Sequence, residues 1–423
     1  MYTSLNINSN LLKIVLKIED KIEGKIKEFE KLVTLNQARV LKAFQNNQIS
    51  DFHLKSSTGY GYDDIGREKL DKVYAEVFQS EAALVRPHIV SGTHALTIGL
   101  FGLLRPGDEL LYITGKPYDT LEKVIGIDET ASGSLKEWGI SYKSVSLKSN
   151  GRVDYEKVAD AINSRTKVIG IQRSRGYSYR SSFSLEDIKV MIKFVKEIKP
   201  NIIILIDNCY GEFTEINEPT YVGADLIIGS LIKNPGGGLA KGGGYFAGKK
   251  EFIDLISYRL TAPGIGSKVG SMYGYTNDLY QGFFLAPHFV GEALKGGVFI
   301  SALFEELGFE TSPKWFENRY DIIQAVKFSN PDALLTFLQG IQKNSPIDSH
   351  VVPEPADIPG YQHPVIMAAG TFVQGASLEL SADAPYKEPY IGYVQGGLTY
   401  QHIKLAIINT VEMLLKKGII KFM

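Results

Sequence analysis

The chain is 423 residues long and 44% hydrophobic, enough to bury a large core and to divide into a major and a minor domain. Its 46 basic residues nearly balance 47 acidic ones, so no global field favours nucleic acid or an anionic membrane surface, and a small or polar substrate is expected. A single cysteine, Cys209, excludes an intramolecular disulfide and a zinc site built from several thiolates; the seven histidines show no ligand spacing, so no metal is expected, and a reducing compartment, the cytoplasm, fits.

Near the start, the apolar stretch Leu11 to Leu16 is interrupted by Lys13 and followed by Lys17 and Glu19, with no small-residue cleavage site, which argues against a signal peptide. Ile18, Ile22, Ile26, Phe29 and Val33 then mark one face of an amphipathic helix whose other face is mostly Lys and Glu. This predicts an N-terminal helical arm over 1–58, free to dock on its own domain or on a second subunit. From about Gly66, helix and strand alternate for roughly 190 residues, the α/β rhythm. Leu110 to Thr114, Val168 to Ile171, Ile202 to Ile206 and Leu226 to Ile228 suit strands buried on both faces, and such runs are too short to span a bilayer. After Ser184 a helix is predicted, boxed at its start by Ser184 and Asp187, buried along Leu185, Ile188, Ile192 and Val195, and ended before Pro200. Beyond about Leu260 the rhythm turns to helical segments, then to extended stretches between His350 and Leu380, and last to a helix from about Gln401 to Lys417. A large domain over 59–300 and a smaller one over 301–423 are expected, with no Pro/Gly/Ser linker to mark the junction.

Three pieces can carry chemistry. Ser91, Gly92 and Thr93 open a helix, where backbone N–H groups, hydroxyls and the helix dipole suit a phosphate; an ordinary N-cap by Ser91 or Thr93 is the plain alternative. Asp207 follows the strand Ile202 to Ile206, at the edge where open α/β sheets bind ligands; a buried carboxylate there needs a cation such as a protonated pyridine nitrogen, although a capping aspartate looks the same in sequence. Lys233 lies between a buried strand and the glycines 236–238. Desolvation there would depress its pKa and make it nucleophilic, whereas an isolated loop lysine is ordinarily just exposed. The glycines match no ATP-binding loop, since no Gly-Lys-Ser/Thr closes the run.

Phosphate cradle, strand-end aspartate and lysine, in that order, resemble the fold-type-I pyridoxal-phosphate enzymes of the aspartate-aminotransferase-like fold, and among them the cystathionine and methionine lyase group. The chain is similar to the branch named for aluminium resistance, methionine gamma-lyase-like carbon–sulfur lyases, from about Gly59 to Val411. The resemblance rests on Gly59-Tyr60-Gly61-Tyr62-Asp63-Asp64-Ile65-Gly66-Arg67, Ser91-Gly92-Thr93-His94-Ala95, Gly115-Lys116-Pro117-Tyr118-Asp119-Thr120-Leu121, Asp207-Asn208-Cys209-Tyr210-Gly211-Glu212, the run Gly229 to Gly238, and Gln395-Gly396-Gly397-Leu398-Thr399-Tyr400.

This resemblance implies an α/β large domain with a mainly parallel sheet and a smaller α+β C-terminal domain. It implies that Lys233 bonds covalently to pyridoxal phosphate, that Asp207 pairs with the pyridine nitrogen, and that Ser91, Gly92, Thr93 and Ser230 hold the phosphate. Where relatives carry a second hydroxyl just before the lysine, this chain has Ile232. A tyrosine of a neighbouring subunit usually completes the cradle, which points to Tyr60 or Tyr62 and to a homodimer or homotetramer with shared active sites. Tyr118 matches the tyrosine that stacks on the ring and assists proton transfer, with a core aromatic as its plain alternative. Arg173 or Arg175 could contact the cofactor or a substrate acid, although the wider group has an Asn-Pro pair there. The arginine that usually clamps the substrate carboxylate is replaced in the matching region by Lys387, a point charge and not a planar fork, which leaves Arg173 and Arg175 as alternatives.

The activity implied is β-elimination from a sulfur-containing amino acid. The freed lysine acts as general base at Cα, a thiolate leaves Cβ, and a 2-oxo acid and ammonia follow. A γ-lyase or transsulfuration synthase would use the same lysine and aspartate. An aminotransferase would leave the amino group on the cofactor, and a binding protein would hold the cofactor without turnover.

Overall fold

The computed structural model describes residues 7–127, 132–359 and 361–421. Its helices are α1 (Ser9–Asn46), α2 (Ile65–Val77), α3 (Gly92–Leu103), α4 (Asp119–Ile125), α5 (Tyr155–Ala161), α6 (Leu185–Ile198), α7 (Lys250–Leu260), α8 (Thr276–Glu306), α9 (Pro331–Lys343) and α10 (Tyr400–Lys416). Seven strands form the larger sheet: β1 (Ala82–Arg86), β2 (Glu109–Tyr112), β3 (Ser141–Ser144), β4 (Thr166–Gln172), β5 (Ile203–Asp207), β6 (Leu226–Ser230) and β7 (Gly244–Gly248). They lie in the order β1-β7-β6-β5-β4-β2-β3, and only β7 runs against its neighbours.

The apolar runs become buried strands because they alternate between two cores. Leu110, Val168, Ile203, Leu205 and Leu226 face a cluster under α3 and α7, while Ile169, Ile171, Ile204, Ile206 and Ile227 face the other side. All parallel strands end at one edge, so the segments after β1, β2, β4, β5 and β6 gather there. The box at the start of α6 forms as expected: Ser184 Oγ accepts the Asp187 N–H, and Asp187 Oδ2 accepts the Ser184 N–H at 3.0 Å.

The N-terminal arm docks on its own chain. Its buried stripe extends the predicted one in both directions, from Leu11 to Ala43. Gly291 of α8 has no side chain, and a Cβ there would stand 2.2 Å from a Val33 methyl, so α1 and α8 approach closely. Gln37 donates to the Phe284 carbonyl at 3.0 Å, and Asn36 to the carbonyls of Phe213 and Glu215. Among the described residues α8 is the one helix long and apolar enough to cross a membrane, longer than any run singled out from the sequence. Most of it, including Phe283, Val290, Val298 and Phe299, is buried core.

The second sheet is antiparallel throughout, in the order β10-β11-β12-β9-β8: β8 (Glu310–Ser312), β9 (Ile323–Lys327), β10 (Val365–Ala368), β11 (Ser381–Pro385) and β12 (Ile391–Gln395). Of these only β10 lies in the extended region expected between His350 and Leu380. The junction expected near residue 300 falls inside α8, which carries the chain from one sheet to the other as a continuous helix.

Candidate active site

Lys233 owes its position to glycines. A Cβ on Gly236 would stand 1.6 Å from the Leu231 carbonyl oxygen, and one on Gly237 (φ +54°) 2.0 Å from the Gly282 oxygen of α8. The run therefore lets the loop after β6 fold back on itself and press against α8. Lys233 Nζ lies 4.1 Å from the Tyr210 ring centroid and 4.0 Å from where a Gly92 Cβ would be. Burial pulls its pKa down, but Cys209, Tyr210, Asp207 and Tyr118 outweigh that and hold it well above the ordinary lysine range. The amine is desolvated as expected, whereas the expected depression of its pKa is corrected by the acidic groups packed around it.

Asp207 ends β5 at the same edge. Its Oδ1 accepts the Cys209 N–H at 3.1 Å; burial raises its pKa, with Lys233 and the Cys209 contacts opposing. At the start of α3, Ser91 Oγ accepts the His94 N–H at 3.0 Å, and Thr93 Oγ1 lies 2.9 Å from Thr120 Oγ1 and 3.1 Å from the Tyr118 hydroxyl. Ser230 Oγ is buried and has no hydrogen-bond partner in the protein. It flanks Gly92, where a Cβ would lie 3.5 Å from Ser230 Cβ and 3.7 Å from Cys209 Sγ. An unpartnered hydroxyl, a helix N-terminus and bare glycine backbone are what a phosphate monoester requires. A buried carboxylate asks for a compensating cation, and a primary amine within the same space can bond an aldehyde carbon. These residues fit pyridoxal phosphate.

The cavity they share has a volume of about 300 Å³, and its far wall comes from the second sheet: Ile323, Asp383, Tyr393 and Gln395, with Tyr361 beside them. Gln172 Oε1 accepts the Tyr118 N–H at 3.0 Å and fixes that residue at the rim; burial, more than the Asp207 charge, raises the Tyr118 pKa. The sequence reading missed Gln172, Tyr177, Tyr210, Tyr361, Asp383 and Gln395 as cavity residues. Tyr210 and Gln395 sit inside motifs already singled out, so a signal existed; Asp383 lies in none.

Other expected residues are placed elsewhere. Arg173 is corrected: it is fully buried, donating to Asn208 Oδ1 at 2.8 Å and the Gly211 carbonyl at 2.9 Å and pairing with Glu215 at 2.7 Å, so its fork is committed to the protein. Next to this network Glu212 accepts the Tyr245 hydroxyl at 2.8 Å, its second oxygen has no partner, and burial pushes its carboxyl up to about 8. Within one chain Tyr60 and Tyr62 do not reach Lys233; they are 75% and 65% exposed, and Tyr60 lines a separate cavity with Arg86, His88 and Tyr273. Arg175 and Lys387 line an adjoining vestibule of about 530 Å³ that shares Tyr118, Asp119, Gln172, Tyr177 and Tyr361 with the cofactor cavity. Arg175 is buried and gives one nitrogen to the Ser312 carbonyl at 2.8 Å, while its Nε and second Nη have no partner. Lys387 is exposed on the rim, and Ile232 lines the cofactor cavity.

Comparison with known proteins finds similar chains. The family model described as methionine gamma-lyase matches residues 11–415. The uncharacterised protein YnbB of Bacillus subtilis is 56% identical over 99% of this chain and 100% of its own. Two solved structures superpose closely. One is a carbon–sulfur lyase involved in aluminium resistance from Clostridium novyi, 51% identical with TM-score 0.94 over 98% of each chain. The other is a Listeria monocytogenes protein provisionally assigned as a cystathionine beta-lyase involved in aluminium resistance, 56% identical with TM-score 0.93 over 95% of this chain and 99% of its own.

Proposed function

The chain belongs to the methionine gamma-lyase family and is a pyridoxal-phosphate-dependent carbon–sulfur lyase, and from that premise we propose that it cleaves the Cβ–S bond of a sulfur-containing amino acid, giving a thiol, ammonia and a 2-oxo acid. The observation that carries this reading is the convergence of Lys233, Asp207 and the Ser91-Gly92-Thr93-Ser230 cradle at one sheet edge. When bound, pyridoxal phosphate supplies a bond to the substrate nitrogen and a ring that accepts the electrons of the Cα–H bond. Asp207 would pair with the ring nitrogen and hold a proton there. Lys233 would anchor the cofactor and, with its amine free, would take the Cα proton. Tyr118, held by Gln172 and bonded through its hydroxyl to Thr93, would flank the cofactor and assist proton transfer to the departing sulfur, and water would release ammonia and the 2-oxo acid. The two unpartnered nitrogens of Arg175 support it as the substrate's carboxylate clamp, ahead of Lys387 on the rim. The provisional assignment of the Listeria relative supports β- over γ-elimination.

The exposed Tyr60 and Tyr62 support an assembly, a homodimer or homotetramer in the cytoplasm, in which they complete the phosphate site of a neighbouring subunit. The division into residues 1–58, 59–300 and 301–423 remains part of the proposal, with the last two joined through α8. Purified holoenzyme is expected to release pyruvate and a thiol from cysteine thioethers such as cystathionine. 2-Oxobutyrate from methionine would make it a γ-lyase. No 2-oxo acid from cystathionine, cysteine or methionine would overturn lyase activity.

A further inference from the structure

The far wall of the cofactor cavity holds an acidic group that none of the chemistry above uses. Asp383 on β11 faces Lys233, Tyr210 and Tyr361 across the cavity. Gln395 Nε2 donates to its Oδ2 at 3.1 Å, which fixes the carboxyl, and the Tyr177 hydroxyl stands beside it, while Oδ1 is buried with no well-aligned donor among the described residues. Burial pushes this carboxyl up to about 6, with Gln395, Tyr177 and Lys233 pulling the other way. Three aromatic rings stand around it: Tyr177 lies 6.1 Å from Tyr361 and 5.4 Å from Tyr393 between centroids, and the Tyr393 hydroxyl donates to the Tyr177 carbonyl at 2.7 Å. No arginine lines this cavity among the described residues; its charged side chains are Lys233, Asp119, Asp207 and Asp383.

A fixed carboxyl with an oxygen left to accept, in a cavity lined by tyrosines, is the surrounding that recognises an ammonium group, since both the acid and the aromatic rings attract a cation. We propose that Asp383, Gln395, Tyr177, Tyr361 and Tyr393 form a subsite for a second ammonium group on the substrate, carried by its side chain or leaving group. The inference rests on the amino-acid lyase reading, since it gives that site its specificity. Amino acids whose side chain carries an amine are therefore preferred over isosteres that end in a methyl group.

The test is binding, which does not depend on which bond breaks. Holoenzyme is titrated with L-2,4-diaminobutyrate and with L-norvaline, matched in length, and Kd is read from the shift of the cofactor absorbance band. Wild type is expected to bind diaminobutyrate about tenfold more tightly, as a charge-assisted hydrogen bond allows, and Asp383→Asn to bring the two constants together. Norvaline binding as tightly as diaminobutyrate in wild type would overturn the subsite whatever the fate of the variant. An unchanged preference in a folded Asp383→Asn would remove Asp383 from it. Failure of 2-oxo acid release with the binding preference intact would overturn the lyase reading and leave the subsite standing.

Discussion

The two walls of the cofactor cavity are built differently. One is the carboxyl edge of a parallel sheet, where Ser91 arrives after β1, Asp207 at the end of β5, and Ser230 and Lys233 at and just after the end of β6. The other comes from an antiparallel sheet and its neighbouring loop, where Asp383, Gln395, Tyr361 and Tyr393 face inward. The first carries groups that any member of the reaction class needs. The second carries the groups proposed to choose among substrates. Chemistry and selection thus sit on opposite faces, and variants should separate them.

The deepest cut falls on the first wall. Lys233→Ala is expected to lower kcat by at least about a thousandfold, since it removes both the covalent anchor and the base. Borohydride reduction and peptide mapping should place the cofactor on Lys233, and an unmodified Lys233 in reduced yellow protein would undo the assignment. Asp207→Asn should cost about a hundredfold in kcat with little change in KM, because it weakens the ring and not substrate binding. On the vestibule side, Arg175→Lys is expected to raise KM about tenfold with kcat nearly unchanged, whereas Lys387→Ala should change neither. Ser230→Ala should weaken cofactor retention by roughly fivefold in a dialysis assay, the loss of one hydrogen bond to the phosphate.

The smallest effect tests the ground behind the first wall. Glu212 has its pKa raised by burial to about 8, against an ordinary 4.5. A carboxyl raised in the folded state contributes stability that is full below the unfolded pKa and lost as pH climbs through the folded one. Wild type should therefore lose this contribution between about pH 4.5 and 8. Glu212→Gln should gain in Tm relative to wild type across that interval; parallel Tm curves for the two proteins would rule the effect out.

Legibility followed the same division. Parallel strands are short apolar runs, so β2, β4, β5 and β6 could each be placed within two residues, and their ends carried Asp207 and Lys233. The antiparallel strands β8, β9, β11 and β12 are short and mixed in polarity, and only β10 falls in the extended region expected between His350 and Leu380. Asp383 looks in sequence like a surface aspartate, and only its pairing opposite Tyr393 turns it inward. Arg173 and Arg175 differ by two positions, yet one is bound up in Glu215 and Asn208 while the other, bonded once to Ser312, keeps two nitrogens without a partner among the described residues. Their difference depends on Gly211, whose missing side chain leaves room for the Arg173 stem: a Cβ there would stand 2.6 Å from Arg173 Cδ. The pKa of Lys233 was misjudged for a related reason, since Cys209, Tyr210 and Tyr118 approach it only in three dimensions.

The contact between Gly237 and Gly282 ties the lysine loop to α8, and the same helix continues into the second sheet. The position of the lysine loop is thus coupled through Gly282 to the helix that leads into the far wall. A bulky side chain at Gly282 would push on the loop. Substrate fit at the far wall and placement of the amine therefore answer to one helix, so a substitution at Gly282 is felt on both sides of the cavity.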